Sequence, residues 1–313
     1  MTNRKKTLEY SGYGCVVLVI LSLFFSFSLT SVPYQNLFKE CLEAPRSSVK
    51  GIDGTYVINL DVRPERWHRL EPLLFYHGID HCRFPAVVGL AFDEPTLWKY
   101  SAKHLRFGQL GCMLSHLSIY HDALKRDLDV IWVMEDDVEI KRDPQLLTGL
   151  IKELDEYDPQ WDVIYTDLDM IWKDGSFLRS CVLPVDKKRP LPYPLSYYVE
   201  RKNISKNFQR IHSKYGTTSM ILSKRGIKKI LDHFTTYDDI VWPFDIEIHY
   251  VPGIRQYGIR NPIVTNCYFL FYKSDAGRGF ERGYYEIDDE NIQFLEQCIE
   301  KQKRLHETFK KWH

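Results

Sequence analysis

Three consecutive carboxylates, Glu135, Asp136 and Asp137, directly follow the apolar run Val130–Met134. A run of that length and composition reads as a buried strand. A parallel strand ending in acids delivers them to the carboxyl edge of its sheet, where open α/β sheets bind ligands. Unpaired, these carboxylates repel one another and call for a cation. An all-oxygen donor set suits a hard divalent ion, Mn²⁺ or Mg²⁺, that keeps positions for water and substrate phosphates. The expected chemistry is a metal–diphosphate site, with Glu135, Asp136 and Asp137 as metal ligands; the competing reading is a solvated acidic turn. Asp167 and Asp169 form a literal D-x-D after Trp161–Thr166, on one face by strand alternation, and are the second candidate. Asp245 and Glu247 lie in Trp242–Tyr250, which reads as a strand, so they too share a face. Such a pair suits an acceptor hydroxyl and its base, with Asp245 the first catalytic candidate and Glu247 the second.

The elements that must carry these residues come in βα order. Thr55–Leu60 reads as the first strand. Pro64 sits at the first turn of a helix running to about Tyr76. Between them, Asn59, Arg63 and Arg66 form a plausible nucleotide cradle; a surface salt bridge is the plainer use of a single arginine there. Asp80–Val88 reads as a second strand. Gly108–Lys125 is a helix by the spacing of Leu110, Leu114, Leu117 and Leu124, and it leads straight into the acidic strand. Gln145–Glu156 is the next helix. Ser176–Lys206 is an irregular, proline-rich loop. Tyr215–Leu222 is a strand, Ser223–His233 a helix capped by Ser223, and Ile263–Tyr272 the last strand. The fold class expected is α/β, a mostly parallel Rossmann-type sheet flanked by helices.

The net charge of zero over 313 residues gives no nucleic-acid footprint. Arg4, Lys5 and Lys6 precede a charge-free stretch from Tyr10 to Phe38, with an apolar centre at Cys15–Leu29. We read residues 1–13 as a cytoplasmic tail and 14–32 as a single transmembrane signal-anchor, with a cleaved signal peptide as the alternative. Residues 33–50 are a stem, 51–285 the globular domain and 286–313 a charged C-terminal helix. No cysteine spacing fits zinc, and the six cysteines beyond the anchor have the chance to pair in an oxidising lumen. Asn203-Ile204-Ser205 is an N-glycosylation triplet.

In order, the segments YVINLDVRPERW, FPAVVGL, GQLGCMLSHLSIY, VMEDDV, YGTTSMILSKRGIKKIL, WPFDIEI and Lys273-Ser274-Asp275 resemble those of glycosyltransferase family 25, over Thr55 to Asp275. That family includes bacterial lipooligosaccharide galactosyltransferases and animal collagen galactosyltransferases. The resemblance implies a GT-A-like fold and hexose transfer from a nucleotide-sugar donor, UDP-galactose or UDP-glucose, to a glycan or glycoprotein acceptor, with Mn²⁺. It implies Asp136 and Asp137 as metal and diphosphate ligands, Ser115 and His116 on the donor side, and Asp245 near the acceptor. Val88 stands where the family usually has Asp, and Gln109 where it often has Glu. The alternative function is a non-catalytic lumenal binding or adhesion protein on a degenerate transferase fold. Activated sugars are imported into the ER or Golgi lumen, so a type II membrane protein facing that lumen is expected; a bacterial inner-membrane protein is the alternative.

Overall fold

The computed structural model describes residues 35–89, 99, 105–171, 177–178, 189–237 and 240–267. The anchor, the final Lys273–Asp275 turn and the C-terminal helix expected above lie outside the described residues. Among the described residues no helix is long and apolar enough to cross a membrane.

The chain runs β1 (Gly54–Asn59), α1 (Pro64–Tyr76), β2 (Cys82–Pro85), α2 (Phe107–Lys125), β3 (Val130–Glu135), β4 (Val138–Ile140), α3 (Leu146–Tyr157) and β5 (Val163–Tyr165). Next come β6 (Met170–Ile171), β7 (Phe177–Leu178), α4 (Leu195–Val199), β8 (Arg201–Asn203), β9 (Phe208–Ile211) and β10 (Ser219–Ser223). The described part closes with α5 (Lys224–Thr236), α6 (Phe244–Glu247), β11 (Gln256–Ile259) and β12 (Val264–Asn266). Eight strands form one sheet in the order β2-β1-β3-β10-β5-β11-β9-β8.

Alternation along the central strands builds two apolar layers. Tyr56, Ile58, Ile131 and Val133 face a layer that contains Leu110, Met113, Leu114 and Leu117 of α2 and Ile227, Ile230 and Phe234 of α5. Val57, Trp132 and Met134 face the other layer, with Leu70 and Leu74 of α1 and Leu147 and Ile151 of α3. The protein is therefore a mixed α/β sheet with helices on both faces, each face burying one parity of the strand residues.

Three expectations are corrected here. The sheet is mixed rather than mostly parallel throughout: β1 pairs in parallel with β2 and β3, but β10 lies antiparallel between β3 and β5. The stretch around Asp245 is not a strand. After Pro243 it forms α6, then a 3₁₀ turn over Ile248–Tyr250. Residues two apart on a helix point about 200° apart, so Asp245 and Glu247 are not co-facial. The proline-rich loop does contain structure, since α4 and the β8–β9 hairpin fall in or just after it.

Candidate active site

The end of β3 and the start of β10 meet at the carboxyl edge of β1 and β3. Glu135 is the last residue of β3, and its backbone N–H donates to the carbonyl of Thr218 at 2.8 Å, just ahead of β10. The three acids are then separated by what surrounds them.

Asp136 is buried and fully engaged. Its Oδ1 accepts from Arg66 Nη1 at 3.0 Å and its Oδ2 from Asn59 Nδ2 at 2.7 Å. Arg69, a residue the sequence did not single out, donates to the backbone carbonyls of Asp136 at 2.6 Å and Val138 at 3.0 Å. Arg63 lies buried beside Glu65 at 3.6 Å. Asn59 is also consumed internally, since its Oδ1 accepts from Arg83 at 2.9 and 2.6 Å. The expected cradle thus exists mainly as a frame that locks Asp136, with Arg66 also lining the cleft.

Glu135 Oε1 accepts from Thr217 Oγ1 at 2.8 Å and lies 3.3 Å from His116 Nε2. Burial pushes this carboxyl up, but the hydrogen bonds of His116 and Thr217 and the Arg66 charge outweigh it and hold it below the ordinary value. Asp137 is the reverse case. Burial, and then the Glu135 charge, push its carboxyl up to about 7. Its Oδ1 is buried and has no hydrogen-bond partner among the described residues. A buried unpartnered carboxylate oxygen beside an ionised neighbour is a poor arrangement for protein alone and a good one for a cation.

Cys112 and His116, one turn apart on α2, bring their ligand atoms within 4.8 Å of one another and of Glu135. Burial, followed by the charges of Glu135, Asp245 and Asp137, pushes the Cys112 thiol well up, which keeps it protonated and a weak ligand. The donors that fit a hard ion are the oxygens of Glu135 and Asp137, with the His116 imidazole beside them.

Ser115 is fully buried: its Oγ accepts from the Val87 N–H at 2.8 Å and donates to the Gly111 carbonyl at 2.7 Å. It clamps α2 to the segment after β2 at the wall of the cleft that Ser115 helps to line. Gly111 makes that approach possible, because a Cβ there would stand 2.4 Å from the Val87 carbonyl oxygen. Gln109 closes the start of α2 by accepting from the Arg106 N–H at 2.9 Å, a task that Glu performs equally.

Asp245 comes into the same neighbourhood from α6. Its Oδ2 accepts from the Gly216 N–H at 3.0 Å. Burial raises its carboxyl, against the Gly216 hydrogen bond, and the Glu135 charge adds to the rise. Glu247 is corrected as a base candidate: it is fully buried, 2.9 Å from His233 Nε2 and 3.2 Å from Arg189 Nε. The second D-x-D does not chelate either. Asp167 pairs with Lys214 at 3.1 Å and accepts from Thr265, while Asp169 pairs with Arg201 at 2.7 Å.

The family model for glycosyltransferase family 25 (LPS biosynthesis protein) matches residues 52–247. Mouse procollagen galactosyltransferase 2 is 30% identical over 128 residues, 37% of this chain and 20% of that protein. The human inactive glycosyltransferase 25 family member 3 is 30% identical over 133 residues, 38% of this chain and 22% of that protein. The aligned segments thus span about a fifth of those relatives. A solved Drosophila β-1,4-galactosyltransferase 7 variant, in complex with manganese, UDP-Gal and xylobiose, overlaps 73% of this chain and 76% of its own. Its TM-score is 0.33 at 9% identity, too low to carry an argument. The family match runs from the segment before β1 through α6 and so contains every residue of the site just described: the chain belongs to glycosyltransferase family 25.

Proposed function

We propose that this chain is a metal-dependent hexosyltransferase of GT-A type that moves galactose or glucose from a UDP-sugar to a glycan or glycoprotein acceptor. The observation that carries the reading is the unpartnered, buried Asp137 Oδ1 beside the ionised Glu135 at the end of β3. Glu135 and Asp137 hold Mn²⁺ or Mg²⁺, and Asp136 is the anchor for Arg66. The ion, when bound, supplies neutralisation of the leaving diphosphate. Arg66, held beside the acids by Asp136 and lining the same cleft, offers its guanidinium to the same phosphates. Asp245, its carboxyl raised by burial and held by Gly216, takes the proton of the acceptor hydroxyl. Ser115 and Gly111 keep the wall of the cleft in place. UDP-galactose and UDP-glucose turnover, measured with Mn²⁺ and after chelation, tests the reading; no turnover of either sugar under any metal sinks it.

Val88 supports a second reading, a binding protein on an inactive transferase frame. It stands between the cleft residues Val87 and Gly89, with an apolar side chain where a carboxylate is usual in the family. UDP binding without turnover would select that reading. On topology, the basic residues 4–6 and the charge-free stretch after them support a type II anchor with the domain in the ER or Golgi lumen. Asn203 is exposed on β8, as a glycan acceptor must be. Loss of mass on glycosidase treatment checks this, and its absence in a lumenal expression system counts against it.

A further inference from the structure

The strap ahead of β1 packs beside α2 and reaches β2, the edge strand of the sheet. It is pinned by contacts that do not involve sulfur. The Lys39 N–H donates to Ser118 Oγ at 3.1 Å, Lys39 Nζ to the Ala86 carbonyl at 2.9 Å, and Arg126 Nη2 to the Cys41 carbonyl at 3.1 Å. These fix Cys41 over the first residue of β2, Cys82. The side chains are 6% and 2% exposed, and their sulfurs lie 2.8 Å apart. That separation is a small side-chain adjustment from a disulfide bond of about 2.05 Å.

We propose that Cys41 and Cys82 form a structural disulfide that staples the strap to the sheet edge. The oxidant is an external disulfide, either oxidised glutathione or the active-site disulfide of an oxidoreductase. The Cys41 thiolate attacks one sulfur of that disulfide, forms a mixed disulfide and expels a thiolate. Cys82 then loses its proton and attacks the Cys41 sulfur, expelling the second thiolate. Two protein thiols become one disulfide, and the external disulfide is reduced to two thiols. Both thiols are buried in the folded chain, so the exchange belongs to folding. The bond closes a loop of 41 residues' separation that contains all of β1 and α1.

The test uses the full chain, refolded in detergent with a mixture of oxidised and reduced glutathione. Free thiols are alkylated in denaturant without reduction, and the digest is mapped. The expected result is a linked pair of peptides carrying Cys41 and Cys82, two hydrogens lighter than their sum, with Cys112 alkylated. Reduction should lower the Tm by on the order of 5–10 °C. The double variant Cys41→Ala, Cys82→Ala should lose that response to reductant. If the double variant does not fold, the peptide map of the unaltered chain decides alone. Alkylation of Cys41 and Cys82 to the same extent as Cys112, or linkage of either to another cysteine, overturns the proposal. None of these readouts depends on transferase activity.

Discussion

Arg66 Nη1 sits 3.0 Å from Asp136 Oδ1, with both side chains buried, so one acid of the cluster is a structural anchor while its neighbour stays unpaired. The division makes adjacent carboxylates separable by mutation. Asp136→Ala should destabilise the fold by about 3–5 kcal/mol, because it removes the acceptor of two buried donors, Arg66 Nη1 and Asn59 Nδ2. Chemical denaturation measures this; a loss below about 1 kcal/mol would mean that the pair is not a structural anchor.

Asp137→Asn should keep the fold and its melting temperature while abolishing Mn²⁺-dependent UDP-sugar turnover. Calorimetric titration with Mn²⁺ reads the binding directly. Undiminished metal affinity in this variant would move the ion elsewhere.

Thr217→Val removes the hydroxyl that donates to Glu135 at 2.8 Å and leaves the chain shape unchanged. A group that orients a metal ligand typically contributes a factor of about 10–100 in affinity. Mn²⁺ titration should show a loss of that order with little change in stability.

Asp245→Asn should retain metal-dependent UDP-sugar binding yet slow transfer by roughly 10²–10⁴, the usual contribution of a positioned base. Joint loss of UDP binding and turnover would assign Asp245 to the donor or metal instead.

His249 gives a pH prediction independent of the site. Burial lowers its imidazole from 6.5 to about 4, and Nε2 sits within 3.0 Å of the Lys214 backbone nitrogen. The folded value lies below the unfolded one, so the full stability is present above about pH 6.5. It is lost as pH falls toward about 4, because the unfolded chain takes up the proton first. The loss sums to about 3 kcal/mol over that window. Raised carboxyls such as Asp137 act in the opposite direction over the same range, so the His249 contribution is read by comparison: urea melts of the unaltered chain and of His249→Gln at pH 7 and pH 4.5 should show the variant losing less stability, or gaining more, on acidification by about that amount.

The elements that were legible in the sequence carry local signals. Pro64 begins α1, and Ser223 caps α5 by accepting from the Gly226 N–H at 3.1 Å. The leucine spacing of α2 and the apolar run of β3 match their burial. The misread segment has no such signal. Phe244, Ile246 and Ile248 alternate with polar residues as in a strand, and four helical residues are too few to show a helical period. The direction of β10 was not legible because it depends on where a long connection returns. In the site, Glu135, Asp136 and Asp137 look equivalent as sequence; their tertiary partners separate them, Arg66 and Asn59 at Asp136 and Thr217 and His116 at Glu135. Thr217 carries no local mark at all, since its role arises from a partner 82 residues away.

The reversed strand β10 has an architectural consequence. A parallel strand brings to the carboxyl edge the residues C-terminal to it, whereas β10 brings the residues N-terminal to it. The groups around the acids therefore come from two non-overlapping stretches of chain: α1, α2 and β3 supply Arg66, His116 and Glu135, and the residues from Gly216 onward supply Thr217 and Asp245. They are joined along one seam of paired backbone, Ser219 opposite Met134 through Ser223 opposite Val130. On the proposed function, segments inserted ahead of that seam would change what stands over the acids without moving Arg66, His116 or Glu135, so the acceptor side would be free to diversify while the donor side stays fixed.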